Sequence, residues 1–509
     1  MSGTTMNPYS NLFSFNLDEL SLEDVYKQID KEITQLQERL CSLRTFRNSL
    51  PPISKIPTEI LSKIFSESQE PIKSSFLDEV DLRSRFCISW VCRHWRRTAL
   101  ATPNLWTIIS KKNRNSAIDI DFAQQFLVRS RDLKISVNIF QPTRDLLSIL
   151  ASHMHRTEHL RMVDVPMTLE SDILFLHPTP VLFSLDLSNT HIPYESDPEP
   201  SGIVPQLHHL SISAMHFETP SPLITPTLRS LRIINTLDGI DVNYLLRMLP
   251  LLENLTELVL VSALEDQDVT IPTERILLPR LESLTLSESN RGSVFDLLDS
   301  LNVPQTAITL IWPEDFETVR ESVDDFFGFL RAYLSDFPFP IHHLKIEREY
   351  PDLTIEISGA HSQHRYSIQF PKQKLSGTWT DQFVSWVLSL DSLNSLETLS
   401  TTELPERALH VLKRLPNLAR VTLFGFPALR EFLGAFHFEP GTTQDTLFPA
   451  VKELTISKLS GSPFVGSLLN ALVSRYEAKM GLQRLVFLGS PGVDVDMFKD
   501  VVSVISVVD

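Results

Sequence analysis

PVLFSLDL (180–187), PQLHHLSI (205–212), PTLRSLRI (226–233), NLTELVL (254–260) and PRLESLTL (279–286) are all of leucine-x-x-leucine-x-leucine type, with isoleucine last in the second and third. Their leading leucines, Leu182, Leu207, Leu228, Leu255 and Leu281, fall 25, 21, 27 and 26 residues apart. That spacing is within or close to the period of about 20–29 residues expected of leucine-rich repeats. The closing x-L-x-L alternates as a short strand must when one face is buried. The leading leucine turns inward from the preceding loop. One such unit cannot cover its own apolar face, so copies must stack, each burying its neighbour.

Working toward the C-terminus, further copies are IHHLKI (341–346), SLETLST (395–401), NLARVTL (417–423), AVKELTI (450–456) and GLQRLVF (481–487). Their spacing is looser, which predicts irregularity or insertions after residue 286. Between the strands lie stretches of helical character: NYLLRMLPLLENL (243–255), SVFDLLDSLN (293–302), VDDFFGFLRAYLSDF (323–337) and ERALHVLKRLPN (406–417). YESDPEPSG (194–202) and HFEPGTTQDT (437–446) read as exposed loops. The expectation is an α/β solenoid of leucine-rich-repeat type over residues 130–493, followed by a C-terminal segment at 494–509.

Working toward the N-terminus, the character is helical. Residues 1–16 form a polar tail, expected to be disordered, and a heptad helix is expected within 17–50. Leu22, Ile29, Leu36, Leu43 and Leu50 recur every seven residues, with Tyr26, Ile33 and Leu40 four positions after the first three. This is the a/d seam of a coiled coil, with Arg47 interrupting the second row. It fits self-association through residues 21–50 and equally a helix folded back on its own protein. Pro51 and Pro52 stop it. A second helix, in ISKIPTEILSKIFSES (53–68), carries Ile56, Ile60 and Ile64 four apart, widened by Leu61 and Phe65. Pro57 suits a first helical position, and Glu59 lies in the first turn, where negative charge helps. A third helix is expected through RSRFCISWVCRHWRRTAL (83–100), with Phe86, Cys87, Trp90, Val91 and Trp95 on its apolar side. Trp106 follows just beyond Pro103.

These residues resemble the F-box, the docking module of substrate receptors in SCF-type ubiquitin ligases. The matching stretches are IPTEILSKIF (56–65), WVCRHWRRTAL (90–100) and PNLW (103–106). Ile56 stands for the family's opening leucine. Pro57, Glu59, Ile60, Leu61, Val91, Cys92, Arg93 and Trp95 stand where the family places them, and Leu105 and Trp106 close the motif. The whole layout is similar to fungal F-box proteins with degenerate leucine-rich repeats. The resemblance implies a small all-α F-box over residues 51–109. It implies an adaptor-binding set of Ile56, Pro57, Glu59, Ile60, Leu61, Ile64, Phe65, Trp90, Val91, Cys92, Trp95, Leu105 and Trp106. It further implies a Skp-type adaptor, and through it a cullin scaffold, as partners, with the solenoid holding an unknown protein target. The competing reading is a repeat scaffold unconnected to ubiquitin.

Composition bounds the alternatives. The chain has 509 residues, 42% of them hydrophobic and 21% charged, with a net charge of −17. A nucleic-acid polyanion would be repelled overall, so nucleic acid is not an expected partner. Cys41, Cys87 and Cys92 are the three cysteines. An odd, sparse count argues for a reducing compartment. No signal peptide, lipidation signal or run of about 18 apolar residues is recognisable, so no membrane is expected. The setting expected is the cytoplasm, the nucleus or both.

No catalytic group stands out, so no enzyme and no cofactor are expected. GSPFVGSL (461–468) has the glycine spacing of a phosphate loop but lacks its lysine. Cys87, Cys92 and His94 lack the partner pair of a closed zinc site and read as packed thiols with a nearby histidine, not metal ligands. The His153, His155, His159 group and the pairs His208–His209 and His342–His343 lie in or beside repeat strands. Adjacent strand residues point to opposite faces, so these pairs are expected to be solvated or packed rather than chelating. Lys111, Lys112 and Arg114 read as a solvated loop.

Overall fold

A computed structural model describes residues 21–68, 83–110, 120–165, 179–190, 204–214, 223–237, 239–265, 275–287, 291–302, 307–311, 340–349, 352–359, 365–370, 391–402, 404, 409, 412, 415–437, 448–457, 464–489 and 493–508. The expectations for residues 1–16, 111–114, 194–202, 323–337 and 438–446 fall outside these. The chain divides into two units, Met1–Phe140 and Gln141–Asp509.

In the first unit, helix α1 (Leu22–Ser49) begins where Ser21 caps it, its side chain accepting the Asp24 N–H. It ends at Leu50, before the two prolines. Helix α2 (Thr58–Glu67) starts one residue later than expected. Pro57 is the flanking extended residue at φ −54°, ψ 145°, and its carbonyl accepts the Leu61 N–H at 2.9 Å. The third helix expected is two. α3 (Arg83–Trp90) stops, and α4 (Arg93–Ala101) restarts after Cys92, which is extended at φ −159°, ψ 172°. The physical reason is a cap: the Cys92 sulfur accepts the Trp95 N–H at 3.5 Å, taking one of the orphan donors of a helix start. Strand β1 (Ile108–Ser110), helix α5 (Ile120–Arg129) and strand β2 (Ile135–Phe140) complete this unit, with β1 and β2 parallel.

The second unit is a long, mainly parallel sheet with interleaved helices. Helix α6 (Arg144–Ala151) leads to β3 (Thr157–Val165), β4 (Ser184–Thr190), β5 (His209–Ser213), β6 (Ser230–Ile234) and, after α7 (Val242–Met248), β7 (Glu257–Val261). A short parallel pair, β8 (Ile276–Leu277) and β10 (Leu301–Asn302), flanks β9 (Ser283–Ser287) and α8 (Arg291–Ser300). β3 to β7 and then β9 pair in chain order. The register puts Leu185, Leu210, Leu231, Leu258 and Leu284 in one row, and Leu187, Ile212, Ile233, Leu260 and Leu286 in a second, all buried. The leading leucines are buried as well, and each closes a turn; Leu207, for instance, donates its N–H to the Val204 carbonyl.

The irregularity expected after residue 286 is an inserted antiparallel strand. β11 (Ala307–Ile311) pairs with β9 and with β14 (Arg365–Phe370). β14 is antiparallel to β13 (Asp352–Ser358), which is antiparallel to β12 (His343–Glu349). β12 then carries the parallel order onward through β15 (Thr398–Thr401), β16 (Arg420–Phe424), β17 (Glu453–Ser457), β18 (Arg484–Leu488) and β19 (Val504–Val508). β19 lies in the stretch assigned from sequence to a separate C-terminal segment, so the sheet extends past residue 493. Helices α9 (Phe426–Phe436) and α10 (Phe464–Glu477) supply the buried partners of this half. Phe432, Phe436 and Phe448 cluster there, and the Arg475 guanidinium stacks on Phe436 at 4.2 Å and donates to the Phe448 carbonyl at 2.7 Å. Burial holds that guanidinium down to about 10.

A second regularity is invisible in the leucine pattern. At the end of successive strands a residue adopts a left-handed backbone: Asp164, Asn189, Ala214, Asn235 and Ser262, then Gly425 and Gly489. The N–H of Ala214, Asn235 and Ser262 donates to the last carbonyl of the neighbouring strand in the sheet, Ile234 of β6, Val261 of β7 and Ser287 of β9 in turn. The turn that ends each strand therefore locks onto its neighbour.

Candidate functional site

The first unit is built around α2 and α4. Leu61 and Phe65 share one face of α2 and are buried, and Phe65 packs on Trp95 of α4 with ring centroids 5.0 Å apart. Leu105 and Trp106 are buried too. The Trp106 indole N–H donates to the Ala99 carbonyl at 2.9 Å, and its ring meets Phe126 edge-on at 5.0 Å. The Arg129 guanidinium lies over the same indole at 4.9 Å, its pKa lowered by burial and by nearby Arg96. Thr102, also buried, bonds Ser62 across the helix pair at 2.9 Å. An indole needs a partner for its N–H when it is buried, and the end of α4 provides one.

The adjoining face of α2 is left open. Ile60 and Ile64, four residues apart, are 51% and 45% exposed. Trp90 and Val91, at the α3–α4 break, are 70% and 56% exposed. Pro57 and Glu59 are exposed, while Ile56, Cys92 and Trp95 are half-buried.

The structure thus divides the residue set drawn from the sequence. Leu61, Phe65, Leu105 and Trp106 are sealed inside and form the platform. Ile60, Ile64, Trp90 and Val91 present apolar surface outward. The reading of Cys87 as a packed thiol is corrected: Cys87 lies on an exposed face of α3. Cys41 and Cys92 line a cleft of about 300 Å³ between α1 and the start of α4, together with Asn48, Ser54 and His94.

In the second unit the histidines are packed in a way that strand alternation did not foresee. His208 precedes β5, so it and His209 both reach Phe183: His208 stacks on it at 4.6 Å and His209 meets it at 5.0 Å. His159 also approaches that ring, at 5.9 Å. Burial and nearby His208 push the His209 pKa down. His342 lies 3.1 Å from the Glu397 carboxylate. The sheet face opposite the leucine rows carries ordered polar rows. Arg161, Asp186, Ser211 and Arg232 share one register line. Asp186 lies 3.1 Å from Arg161, and its pKa is raised, because burial outweighs the pull of Arg161. Arg420, Glu453 and Arg484 share another line in the second half. One sequence without coordinates gave no way to align these x positions across repeats of unequal length.

A family model described as F-box-like matches residues 53–112, which span α2, α3, α4 and β1. No curated protein matches the chain. The protein therefore carries an F-box-like domain, followed by a long parallel sheet with interleaved helices. Among the described residues no helix is long and apolar enough to cross a membrane.

Proposed function

We propose that this protein is a substrate-recognition adaptor of an SCF-type ubiquitin ligase. Its F-box-like domain docks on a Skp-type adaptor, and through it on a cullin scaffold. The repeats that follow are of leucine-rich type and hold a protein target. The protein performs no bond chemistry itself. It raises the local concentration of target lysines beside a recruited conjugating enzyme, a tethering effect. The setting is the cytoplasm, the nucleus or both.

The observation that carries this reading is the set of exposed apolar side chains on the matched domain: Ile60 and Ile64 on α2, and Trp90 and Val91 at the α3–α4 break. So many large apolar side chains left outside a module this small suit a helix-mediated interface with aliphatic and aromatic anchors. Pro57, also exposed, precedes the helix that carries Ile60 and Ile64. Leu61, Phe65, Leu105 and Trp106 act by holding it in place. The surface we assign to the target is the sheet face opposite the leucine rows, in its second half, where Arg420, Glu453 and Arg484 line up and both arginines are exposed; in the first half Asp186 and Ser211 of the corresponding face are buried.

The test is binding of the purified full chain to a Skp-type adaptor by calorimetry. Ile64→Glu should weaken binding by about 2 kcal/mol or more, the size of a hot-spot loss, while circular dichroism and the urea midpoint stay unchanged. Trp95 is a poor probe because it packs on Phe65. No association of the wild-type chain, or equal affinity of Ile64→Glu and wild type, would overturn the assignment and favour a repeat scaffold outside ubiquitin transfer.

A further inference from the structure

Most of the α1 seam is open. No residue of α1 is buried; Leu22, Tyr26, Ile33, Leu36, Leu40 and Leu43 of the seam and Phe46 beside it are exposed, and Ile29 and Val25 are half-buried. The side of α1 that meets the F-box-like domain is the polar one, carrying Cys41, Arg44, Thr45 and Asn48 at the cleft, with Arg44 on the border between cleft and seam. Seven-residue periodicity with an open seam needs a second helix, and the charges beside the seam specify which.

In heptad terms Leu22, Ile29, Leu36 and Leu43 are d positions, and Tyr26, Ile33, Leu40 and Arg47 are a positions. The flanking e positions are Glu23, Asp30, Gln37 and Arg44; the g positions are Val25, Glu32, Arg39 and Phe46. Acidic flanks thus occupy the first half and basic flanks the second. In a parallel pair of identical helices, Arg39 would face Arg44 of the other copy, and the two Arg47 side chains would meet in the seam. Turning one helix around removes both conflicts. With Ile33 facing Leu36 of the other copy, Ile29 faces Leu40 and Tyr26 faces Leu43. Along the flanks Glu32 then faces Arg39, Glu23 faces Arg44 and Asp30 faces Gln37. Val25 meets Phe46, an aromatic that lies outside the a/d seam yet is exposed in the single chain. Arg47 falls at the end of the overlap opposite Leu22, beside Glu23 of the other copy.

We infer that α1 is a homodimerisation helix that pairs with α1 of a second copy in antiparallel orientation, in the register that sets Ile33 against Leu36. This inference is independent of adaptor docking, because its surface is the seam of α1 and not the Ile60–Ile64 strip.

Sedimentation equilibrium of the full chain tests it. The wild type should dimerise. Arg39→Glu should weaken the dimer about tenfold, since two symmetric attractions become repulsions of a few tenths of a kcal/mol each. Glu32→Arg should do the same. An equimolar mixture of the two variants should regain wild-type affinity as a heterodimer. A parallel dimer gives the opposite sign for Arg39→Glu, which would then face Arg44 and bind more tightly. Orientation is read directly by disulfide trapping in a Cys41→Ser background. A Glu32→Cys chain should cross-link to an Arg39→Cys chain and not to itself. A wild-type chain that stays monomeric at tens of micromolar, a dimer tightened by Arg39→Glu, or dimers of either variant unaffected by the substitution would each overturn the inference. Monomer with intact adaptor binding would sink the dimer alone; dimer without adaptor binding would sink the ubiquitin-ligase reading alone.

Discussion

The F-box-like helices and the first half of the sheet bury periodic apolar residues with opposite outcomes. On α2, Leu61 and Phe65 go inside while Ile60 and Ile64 remain about half exposed. From β4 to β9, every residue of the two x-L-x-L rows is buried, Leu185 to Leu286 alike. The sheet has neighbours on both sides of each interior strand, so each new repeat covers the last one's apolar face. A few short helices have too little mass to surround an apolar stripe that spans more than one face of α2. The comparison teaches that apolar spacing reports the element, and only the supply of neighbours decides whether the spacing ends in a core or a surface.

That contrast can be broken at either end. Leu258, in the middle of the sheet, is fully buried. Leu258→Ala should cost about 2–5 kcal/mol in urea unfolding, from lost transfer energy plus a cavity, with adaptor affinity unchanged. Ile64→Glu reverses the readouts: a loss of about 2 kcal/mol in adaptor binding with the unfolding midpoint held within about 0.5 kcal/mol, as for other surface changes. A large stability loss at Ile64 would show that α2 is covered on both faces.

Acid should weaken the sheet unit. His153, His209 and His343 all lie in it, and burial is the first cause depressing each below the ordinary 6.5. The unfolded chain therefore takes up protons first. Stability is complete above 6.5 and is lost as pH falls through that value toward the depressed folded pKa values. Urea midpoints should fall between pH 7.5 and pH 5.5, and His209→Gln should shallow that slope. A flat profile over this range would contradict the burial of these rings. Asp186, whose pKa is raised by burial, acts with the opposite sign.

The smallest effect expected sharpens the regularity of the sheet itself. Ala214 holds φ 50° at the end of β5, a left-handed conformation that strains any residue with a Cβ. Ala214→Gly should raise stability by up to about 1 kcal/mol, the relief of that strain outweighing the extra freedom glycine gives the unfolded chain. A loss of stability would mean that the Ala214 methyl packs against something the backbone argument leaves out.

Much of this was legible before any coordinates. All ten leucine-patterned stretches from PVLFSLDL to GLQRLVF form strands, because alternation over a short run leaves the backbone few other ways to bury one face. Tryptophan placement was less legible. Trp90, Trp95 and Trp106 look alike in sequence as aromatic load, yet Trp106 is sealed, Trp95 half-buried and Trp90 open. The cause is the Cys92 cap, which breaks one expected helix into two and turns Trp90 away from the helix that carries Trp95. The antiparallel β12–β13–β14 insertion was likewise hidden, since DLTIEIS and RYSIQF alternate without the leucine signature of the repeats.

Local chemistry in the chain itself determined the elements: where α1 stops at Pro51, which residues form the strands, and the seven-residue rhythm of α1. Only the tertiary arrangement decided which apolar faces are closed, because burial depends on what another part of the chain, distant in sequence, brings alongside. It closed the leucine rows of the sheet. It left Ile60, Ile64 and most of the α1 seam uncovered.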